Sequence, residues 1–337
     1  MQLVAFEHSE RVGEHTSRPG SSSGSMNTAV LGFEALEAVR HGTRRLGAIV
    51  PSGPHEGAVI DLNRALAVKL ASEDGGAPEC EADSLLPSDP QVFVRRFSTA
   101  VDAARATLAF VADALERYDA PDLASAGIVL ERRDVRLASP IARPGKLVGV
   151  VPDPQDPARP RLFLKASSAV AGPVDELALH PDRSLVVSHG ELAVVIGRRT
   201  RCVRADDALG HVAGYCAALS IRAVDETDAL AWSGDGFAPL GPALVTADAV
   251  PEPHDLGLRT RVSGVPLQTT HTKTLAWKIP DLIARASAAM TLEPGDVVLS
   301  GAPGPHTESR PLHDGDLIEI EVERVGRMAL YVRGSRS

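Results

Sequence analysis

The stretch that decides the fold is His189-Gly190-Glu191-Leu192-Ala193-Val194-Val195-Ile196-Gly197, in which two polar side chains precede a run of apolar ones. A short apolar run rich in β-branched residues is typical of a buried strand. Successive side chains of a strand point to opposite faces, so we expect His189 and Glu191 on the same face. The stretch therefore predicts a strand that carries an imidazole and a carboxylate side by side.

Composition places the chain among soluble globular proteins, with 44% hydrophobic and 23% charged residues. Its length of 337 residues suggests two domains, one of them large. The net charge of −9 argues against nonspecific nucleic-acid binding, which needs a basic surface.

Cysteine usage and apolar runs narrow the class further. The three cysteines, Cys80, Cys202 and Cys216, are an odd number without Cys-x-x-Cys spacing, which argues against a disulfide framework or a zinc knuckle. The N-terminus lacks a basic region followed by a long apolar run, and no apolar run approaches the roughly 20 residues that span a bilayer. We therefore expect a cytoplasmic protein with neither a nucleic-acid nor a membrane partner.

Short Val- and Ile-rich segments separated by Gly, Pro and Asp turns dominate residues 140–333. This pattern predicts an α+β, β-rich fold, with a mixed-sheet domain in the later part of the chain and a smaller α/β domain before it. Residues 9–29 are predicted to be a flexible Gly/Ser-rich insertion. Helices are predicted over residues 33–40, 62–71, 98–118 and 280–290. Strands are predicted at residues 1–8, 46–50, 57–62, 135–137, 185–187, 192–196, 243–245, 259–262, 296–299, 317–322 and 328–332.

Four further segments accompany the strand at 191–197. They are Leu162-Phe163-Leu164-Lys165-Ala166-Ser167-Ser168-Ala169-Val170, Gly214-Tyr215, Phe237-Ala238-Pro239-Leu240-Gly241-Pro242 and the segment from Met290 to Pro303. In this order they resemble the C-terminal catalytic domain of the fumarylacetoacetate hydrolase family over about residues 140–333. The resemblance implies a domain boundary near residue 140, with an N-terminal domain of residues 1–139 and a catalytic domain of residues 140–333. The resemblance implies a mixed β-sheet roll, a homodimer and a hydrolase, lyase or isomerase of small oxo acids that usually uses Mg²⁺ or Mn²⁺.

The resemblance also implies where the metal ligands of the family fall, and two of the three carboxylates are missing. Where the family has a Glu-x-Glu pair, this sequence has His189-Gly190-Glu191, so one glutamate is replaced by histidine. Where the family has its third carboxylate, this sequence has Ser220. Because Mg²⁺ requires oxygen ligands, we expect a degenerate metal site and no bound cofactor. The alternative is that the site binds Mg²⁺ or Mn²⁺, as the family resemblance implies. If a metal does bind, His189, Glu191 and Asp225 are its candidate ligands.

Other departures from the family pattern fall at the same site. Trp232 stands where the family often has a lysine, and Ala302 replaces a threonine of a Thr-Gly-Thr-Pro turn. A lid with a His-x-x-Glu dyad has no counterpart between residues 150 and 160. Such changes predict an altered pocket in which Trp232 contacts a flat, apolar part of the substrate or fills vacated space.

The remaining polar residues suggest acid/base chemistry. His189 and Glu191 are the candidate catalytic pair, because an imidazole titrates near neutral pH. His189 is alternatively a ligand of a softer metal or a histidine without a role, and Glu191 alternatively keeps only a local hydrogen bond. Lys165 contacts an acidic substrate group or anchors a carboxylate. The resemblance adds His271 and Thr272 as a pair that closes over the substrate, so the candidate substrate-binding residues are Lys165, Ser220, Trp232, His271, Thr272 and Ala302.

Three hypotheses about function follow. The first is a divergent enzyme that acts on an oxo acid or 1,3-dicarbonyl compound through an enolate, by C–C cleavage, decarboxylation, isomerisation or cyclisation, without the usual Mg²⁺ ligands. The second is a pseudoenzyme that binds a metabolite or a protein partner. The third is a conventional metal-dependent hydrolase of the family.

Overall fold

The computed structural model describes residues 1–8, 44–53, 55–73, 77–117, 120–156, 158–180, 185–226, 229–303 and 310–334. The predicted insertion at 9–29 and the predicted helix at 33–40 lie outside these residues. The chain divides into two compact units, a larger one of residues 1–5, 90–99 and 137–337 and a smaller one of residues 6–89 and 100–136. The predicted domain limits at 139 and 140 stay a prediction, because the larger unit also takes in N-terminal segments.

Strands outnumber helices in the described residues. The strands are β1 (Gln2–His8), β2 (Arg45–Ile49), β3 (Val59–Asp61), β4 (Val129–Leu130), β5 (Val135–Ala138), β6 (Leu147–Pro152), β7 (Pro160–Lys165), β8 (Val170–Ala171), β9 (Leu177–Leu179), β10 (Val186–Ile196), β11 (Val212–Ala223), β12 (Ala238–Thr246), β13 (Gly257–Val262), β14 (Val265–His271), β15 (Val297–Leu299), β16 (Leu317–Val322) and β17 (Gly326–Gly334). The helices are α1 (Leu62–Glu73), α2 (Pro78–Leu85), α3 (Pro90–Arg95), α4 (Phe97–Arg117), α5 (Ala120–Ser125), α6 (Ala205–Ala208) and α7 (Ile279–Ala289). Each of the helices described is too short or too polar to span a bilayer.

The smaller unit contains an antiparallel ladder in which β3 lies between β2 and β4. A half-buried arginine and a buried aspartate form an ion pair at the start of the helix that follows β3. Arg45 donates two hydrogen bonds to the carboxylate of Asp61, at 2.5 and 3.1 Å. The same carboxylate accepts a hydrogen bond from the backbone N–H of Arg64. This N–H lies in the first turn of α1, where backbone N–H groups have no partner within the helix.

The larger unit consists mainly of two sheets. In one, the strand order is β12-β11-β10-β15-β6-β7, with antiparallel neighbours except for the parallel pair β15 and β6. The other has the order β14-β13-β16-β17-β9. Among the described residues, α7 is the one helix longer than eight residues that lies wholly within this unit. It confirms the predicted helix at 280–290. The mixed sheets confirm the predicted α+β, β-rich fold.

The central strand β10 differs from its prediction. Two strands were expected, at 185–187 and 192–196, but the ladder between β10 and β11 continues through Gly190. The prediction of two strands was wrong because Gly190 lies inside the strand, where the lack of a side chain leaves room for the other sheet. A Cβ atom on Gly190 would lie 2.3 Å from the Thr260 methyl group of β13, and the Gly190 N–H donates to the side chain of Gln268 at 2.7 Å. The continuous strand keeps His189 and Glu191 in one register.

A buried aspartate organises the turn before β15 and thereby the loop that follows it. Asp296 is 1% exposed, and its carboxylate accepts from the backbone N–H groups of Lys146 and Glu293. The Lys146 ammonium lies 2.7 Å from the same carboxylate. After β15 the chain turns at Gly301, whose φ of 75° is in the region that favours glycine. This turn brings the Gly301 N–H next to β10.

Candidate functional site

Three strands of the larger unit bring a lysine, a serine and a glutamate together. Lys165 is the last residue of β7, Ser220 lies on β11, and Glu191 lies on β10. All three side chains are buried. The Lys165 Nζ lies 3.2 Å from the Ser220 Oγ, although the two residues are 55 positions apart in the chain. We refer to these three residues as the Lys165 cluster.

The ammonium group of Lys165 is held by three oxygen atoms. It donates to the Ser220 Oγ at 3.2 Å, to the Ile221 carbonyl at 3.2 Å and to the Phe237 carbonyl at 2.9 Å. An ammonium group has three donors, so each has an acceptor. Lys165 is only 3% exposed, and this burial lowers its pKa, although the nearby charge of Glu191 opposes the shift. The cluster therefore holds a desolvated amine, whose protonated form is stabilised by three acceptors and by the charge of Glu191.

The carboxyl group of Glu191 is perturbed in the opposite direction. It is 6% exposed, and burial raises its pKa. The charge of Lys165, the Gly301 N–H at 2.8 Å from Oε2 and the Ser220 hydroxyl lower the pKa in part. Burial thus moves the pKa values of Glu191 and Lys165 towards each other. Pairs with such shifts are candidates for proton transfer near neutral pH.

His189 lies on the same strand face as Glu191. It is two residues earlier on β10, and in the antiparallel ladder it is directly opposite Ser220. Its side chain is half-buried, whereas those of Ser220 and Glu191 are buried. The imidazole therefore stands at the more open side of the Lys165 cluster.

An aromatic wall lies beside the Lys165 cluster. Trp232 ends a short helical turn, Ala229–Trp232, and its ring centroid is 4.6 Å from that of Phe163 on β7. The Lys165 Nζ is 5.7 Å from the centroid of the Trp232 ring, and the Arg222 guanidinium carbon is 5.1 Å from it. Both distances are within the range of a cation–π contact. The structure thus brings Trp232 to the candidate site.

The other predicted substrate-binding residues have different surroundings. Ala302 is half-buried and follows Gly301, so it lies next to the N–H that contacts Glu191. His271 lies 3.4 Å from the Asp255 carboxylate, and the hydroxyl of Thr272 accepts from the Leu256 N–H. Within the described ranges, neither His271 nor Thr272 makes a hydrogen bond with the Lys165 cluster. Thr272 therefore stabilises the chain segment before β13.

The candidate metal ligands do not come together. β11 ends at Ala223, and Asp225 is exposed beyond that end, whereas His189 and Glu191 lie within β10. In the part of the chain that the structure describes, no group of three His, Cys, Asp or Glu residues is placed to hold a metal ion. The set of His189, Glu191 and Asp225 is therefore not supported by the geometry.

Three residues of the site were missed by sequence reasoning. Phe163 and Arg222 each lie two positions from a predicted site residue on the same strand, Lys165 and Ser220 respectively, so the strand period was a usable signal. The contribution of Gly301 is a backbone N–H, and only the turn after β15 reveals it. The site as a whole offers a carboxylate, an imidazole and a buried lysine, with an aromatic wall beside the lysine. Such a set can remove a proton, return one and stabilise negative charge.

Parts of the sequence are similar to a known protein family and to individual known proteins. A family model described as fumarylacetoacetate (FAA) hydrolase C-terminal matches residues 138–333. The chain is 38% identical over 221 residues to the mitochondrial oxaloacetate tautomerase FAHD2A of Bos taurus, a match that covers 59% of this chain and 69% of that protein. It is 36% identical over 225 residues to the maleylpyruvate hydrolase of Aquipseudomonas alcaligenes, covering 59% of this chain and 76% of that protein.

A solved structure extends the similarity over most of the chain. The maleylpyruvate hydrolase from Sphingobium sp. SYK-6, in complex with manganese(II) and pyruvate, is 28% identical and has a TM-score of 0.65. The match covers 88% of this chain and 98% of that one. The likeness therefore includes residues outside the segment that the family model matches.

Proposed function

Because this chain belongs to the fumarylacetoacetate hydrolase family, we propose that it interconverts the keto and enol forms of a small 2-oxo acid without a divalent metal ion. The observation that carries the proposal is the buried pair of Lys165 and Glu191, whose pKa values are shifted towards each other. The tautomerase activity in the name of the bovine relative supports the reaction class. Tautomerisation needs only proton transfer and stabilisation of an enolate, and the site has groups for both.

The residues of the site do not fit the metal that the family implies. Glu191 is the one carboxylate in the Lys165 cluster, and hard divalent cations need several oxygen ligands. The Lys165 ammonium already lies 3.2 Å from the Ser220 hydroxyl, at one of the positions where the family has a ligand. A dication there would be repelled by the ammonium. We therefore assign the role of the positive charge to Lys165 and route no step through a metal.

In the first step, the carboxylate of Glu191 removes a proton from C3 of the substrate. The C–H electron pair forms the C2=C3 double bond, and the carbonyl electron pair moves onto the oxygen. The hydroxyl of Ser220 accepts a hydrogen bond from Lys165 and donates its own proton to the carboxylate of Glu191. Once Glu191 has taken up the C3 proton, this hydroxyl can turn its proton towards the enolate oxygen. The charge of Lys165 thereby stabilises the enolate, directly and through Ser220.

In the second step, His189 donates a proton to the enolate oxygen and the enol is formed. Exchange with water then restores the proton on His189 and removes the one on Glu191. The reverse order converts the enol into the keto form. His189 is suited to this role because it stands at the open side of the cluster, two residues from Glu191 on the same face.

Exchange of the C3 protons of 2-oxo acids with D₂O tests the proposal, because each removal and return of a proton at C3 introduces deuterium. Proton NMR on pyruvate, oxaloacetate and 2-oxoglutarate follows the loss of the C3 signal. The expected result is exchange faster than in buffer for at least one of these acids. Exchange no faster than with heat-unfolded protein would contradict the proposal and favour a binding protein without turnover.

The exchange rate is expected to follow a narrow bell-shaped pH profile. The reaction needs Glu191 as a carboxylate and Lys165 as an ammonium. A raised carboxyl pKa moves the acidic limb up from its ordinary value of 4.5, and a lowered ammonium pKa moves the alkaline limb down from 10.5. The two limbs belong to the coupled pair as a whole. The profile is measured by the NMR exchange rate between about pH 4 and about pH 11, and a rate that is flat between the two ordinary values would exclude this pair.

A further inference from the structure

Arg222 is a cation near the site for which the described chain offers no anion. Its guanidinium carbon lies 5.1 Å from the centroid of the Trp232 ring, and its side chain is half-buried. Its guanidinium group forms no hydrogen bond or ion pair with any residue that the structure describes, although its backbone takes part in the ladder with β10. A guanidinium has five N–H donors, and those of Arg222 are therefore not used by these residues.

The position of Arg222 places it on the face of the Lys165 cluster. It follows Ser220 by two residues on β11, in a part of the ladder with continuous register. Two residues of a strand span about 7 Å, so the guanidinium lies further along the strand than the Ser220 hydroxyl. Trp232 is in contact with both cations, because Lys165 Nζ is 5.7 Å from the same ring centroid. A flat aromatic surface thus connects two separate positive groups.

We propose that Arg222 is a specificity-determining residue that binds a second carboxylate of the substrate, separated by a few carbon atoms from the 2-oxo acid end. The proposal rests on the proposed function for the binding of the 2-oxo acid end of the substrate. It adds Arg222 as the residue that binds the carboxylate at the other end. The planar guanidinium matches a carboxylate with two parallel hydrogen bonds, a geometry that lysine cannot provide. Stacking on Trp232 holds the plane of the guanidinium before the substrate arrives, which reduces the ordering needed on binding.

A purely structural role for Arg222 predicts something different. Long cationic side chains often cover apolar surface with their methylene groups, and Arg222 covers one face of Trp232. If that were its whole role, its loss would disturb Trp232 and weaken every ligand to a similar degree. A role in recognition instead changes the affinity only of ligands that carry the second carboxylate.

Calorimetric titration of the full chain with matched pairs of ligands separates these cases. The pairs are 2-oxoglutarate with 2-oxopentanoate and oxaloacetate with 2-oxobutyrate, because each pair has equal chain length and differs in the distal carboxylate. We expect the native chain to bind the dicarboxylates about 10- to 100-fold more tightly, as for hydrogen bonds to a charged group. Arg222→Met should reduce this preference to about twofold or less and leave the monocarboxylate affinity within about twofold. Arg222→Lys should restore part of the preference.

Arg333 offers a matched control. It also stacks on an aromatic ring, with its guanidinium carbon 5.8 Å from the centroid of Tyr331, but it is exposed and paired with Glu176. Arg333→Met should leave the preference for dicarboxylates unchanged. A loss of preference in this variant as well would assign the effect to general surface charge and overturn the proposal.

The remaining results of the titrations and of the exchange experiment test the role of Arg222 and the proposed function separately. No preference in the native chain, an unchanged preference in Arg222→Met, or equal weakening of both ligand types would each overturn the role of Arg222 while proton exchange still supports the function. Tight, Arg222-dependent binding of dicarboxylates without exchange at C3 would support Arg222 and contradict the function. Failure of every 2-oxo acid to bind would overturn both.

Discussion

Replacement of Glu191 by glutamine is expected to lower the rate of C3 proton exchange by about 10²- to 10⁴-fold, the usual contribution of a general base. An amide does not accept a proton near neutral pH, whereas its carbonyl oxygen still accepts the hydrogen bond from the Gly301 N–H. The variant should therefore fold and lose its activity. The exchange rate by NMR and the thermal unfolding midpoint measure the two properties on the same sample.

Glu293→Gln is the control for this substitution. Glu293 is an exposed glutamate before β15 whose carboxylate contacts Arg199 at 3.2 Å, and it has no contact with the Lys165 cluster. Its replacement should leave the exchange rate unchanged. An exchange rate in Glu191→Gln within about threefold of the native rate would show that another group removes the proton, and the mechanism above would be wrong.

Replacement of Lys165 by methionine is expected to lower the free energy of unfolding by about 3–5 kcal/mol, the typical cost of removing one partner of a buried pair. The substitution leaves the Ser220 hydroxyl and two carbonyl oxygens without their donor, and it leaves the charge of Glu191 without its cation. The pKa of Glu191 should rise further, because Lys165 is the first of the groups that lower it. Denaturant unfolding at neutral pH measures the loss, and proton exchange should fall in parallel.

A double-mutant cycle distinguishes the loss of the interaction between Lys165 and Glu191 from general damage to the core. Lys165→Met combined with Glu191→Gln should cost less than the sum of the two single changes, because the neutral amide no longer needs a cation. Lys146→Met is the matched control, since Lys146 pairs with the buried Asp296 at another place. Its effect should add to that of Glu191→Gln. Additive costs for Lys165 and Glu191 would show that the two charges are not coupled.

The strand period accounts for the part of the site that the sequence predicts. His189 and Glu191 lie on one strand two residues apart, so local geometry alone places them on one face, and the structure agrees. Lys165 and Ser220 were predicted as separate substrate contacts. Their hydrogen bond depends on β7 approaching β11, a long-range arrangement that no local pattern encodes. The family resemblance marked the positions of these residues but did not predict their contact.

Two errors of prediction have physical causes in particular residues. Strands were predicted at 185–187 and 192–196, whereas β10 continues through Gly190, where the other sheet approaches so closely that no side chain fits. Arg222 was overlooked because its importance comes from Trp232, which lies on a helical turn outside β11. Both features depend on contacts between segments distant in the fold. Short-range patterns therefore predicted the elements better than the site.

The most direct test of the account is the dependence of C3 proton exchange on divalent metal. The exchange rate is measured by NMR in excess EDTA and again after EDTA is replaced by Mn²⁺ or Mg²⁺, while calorimetry follows metal binding with and without oxalate as an enolate mimic. With Lys165 supplying the positive charge, we expect the same rate in EDTA as in metal, and oxalate binding that does not require a metal. Exchange that disappears in EDTA and returns with Mn²⁺ would contradict this account and place the chain among the metal-dependent members of its family.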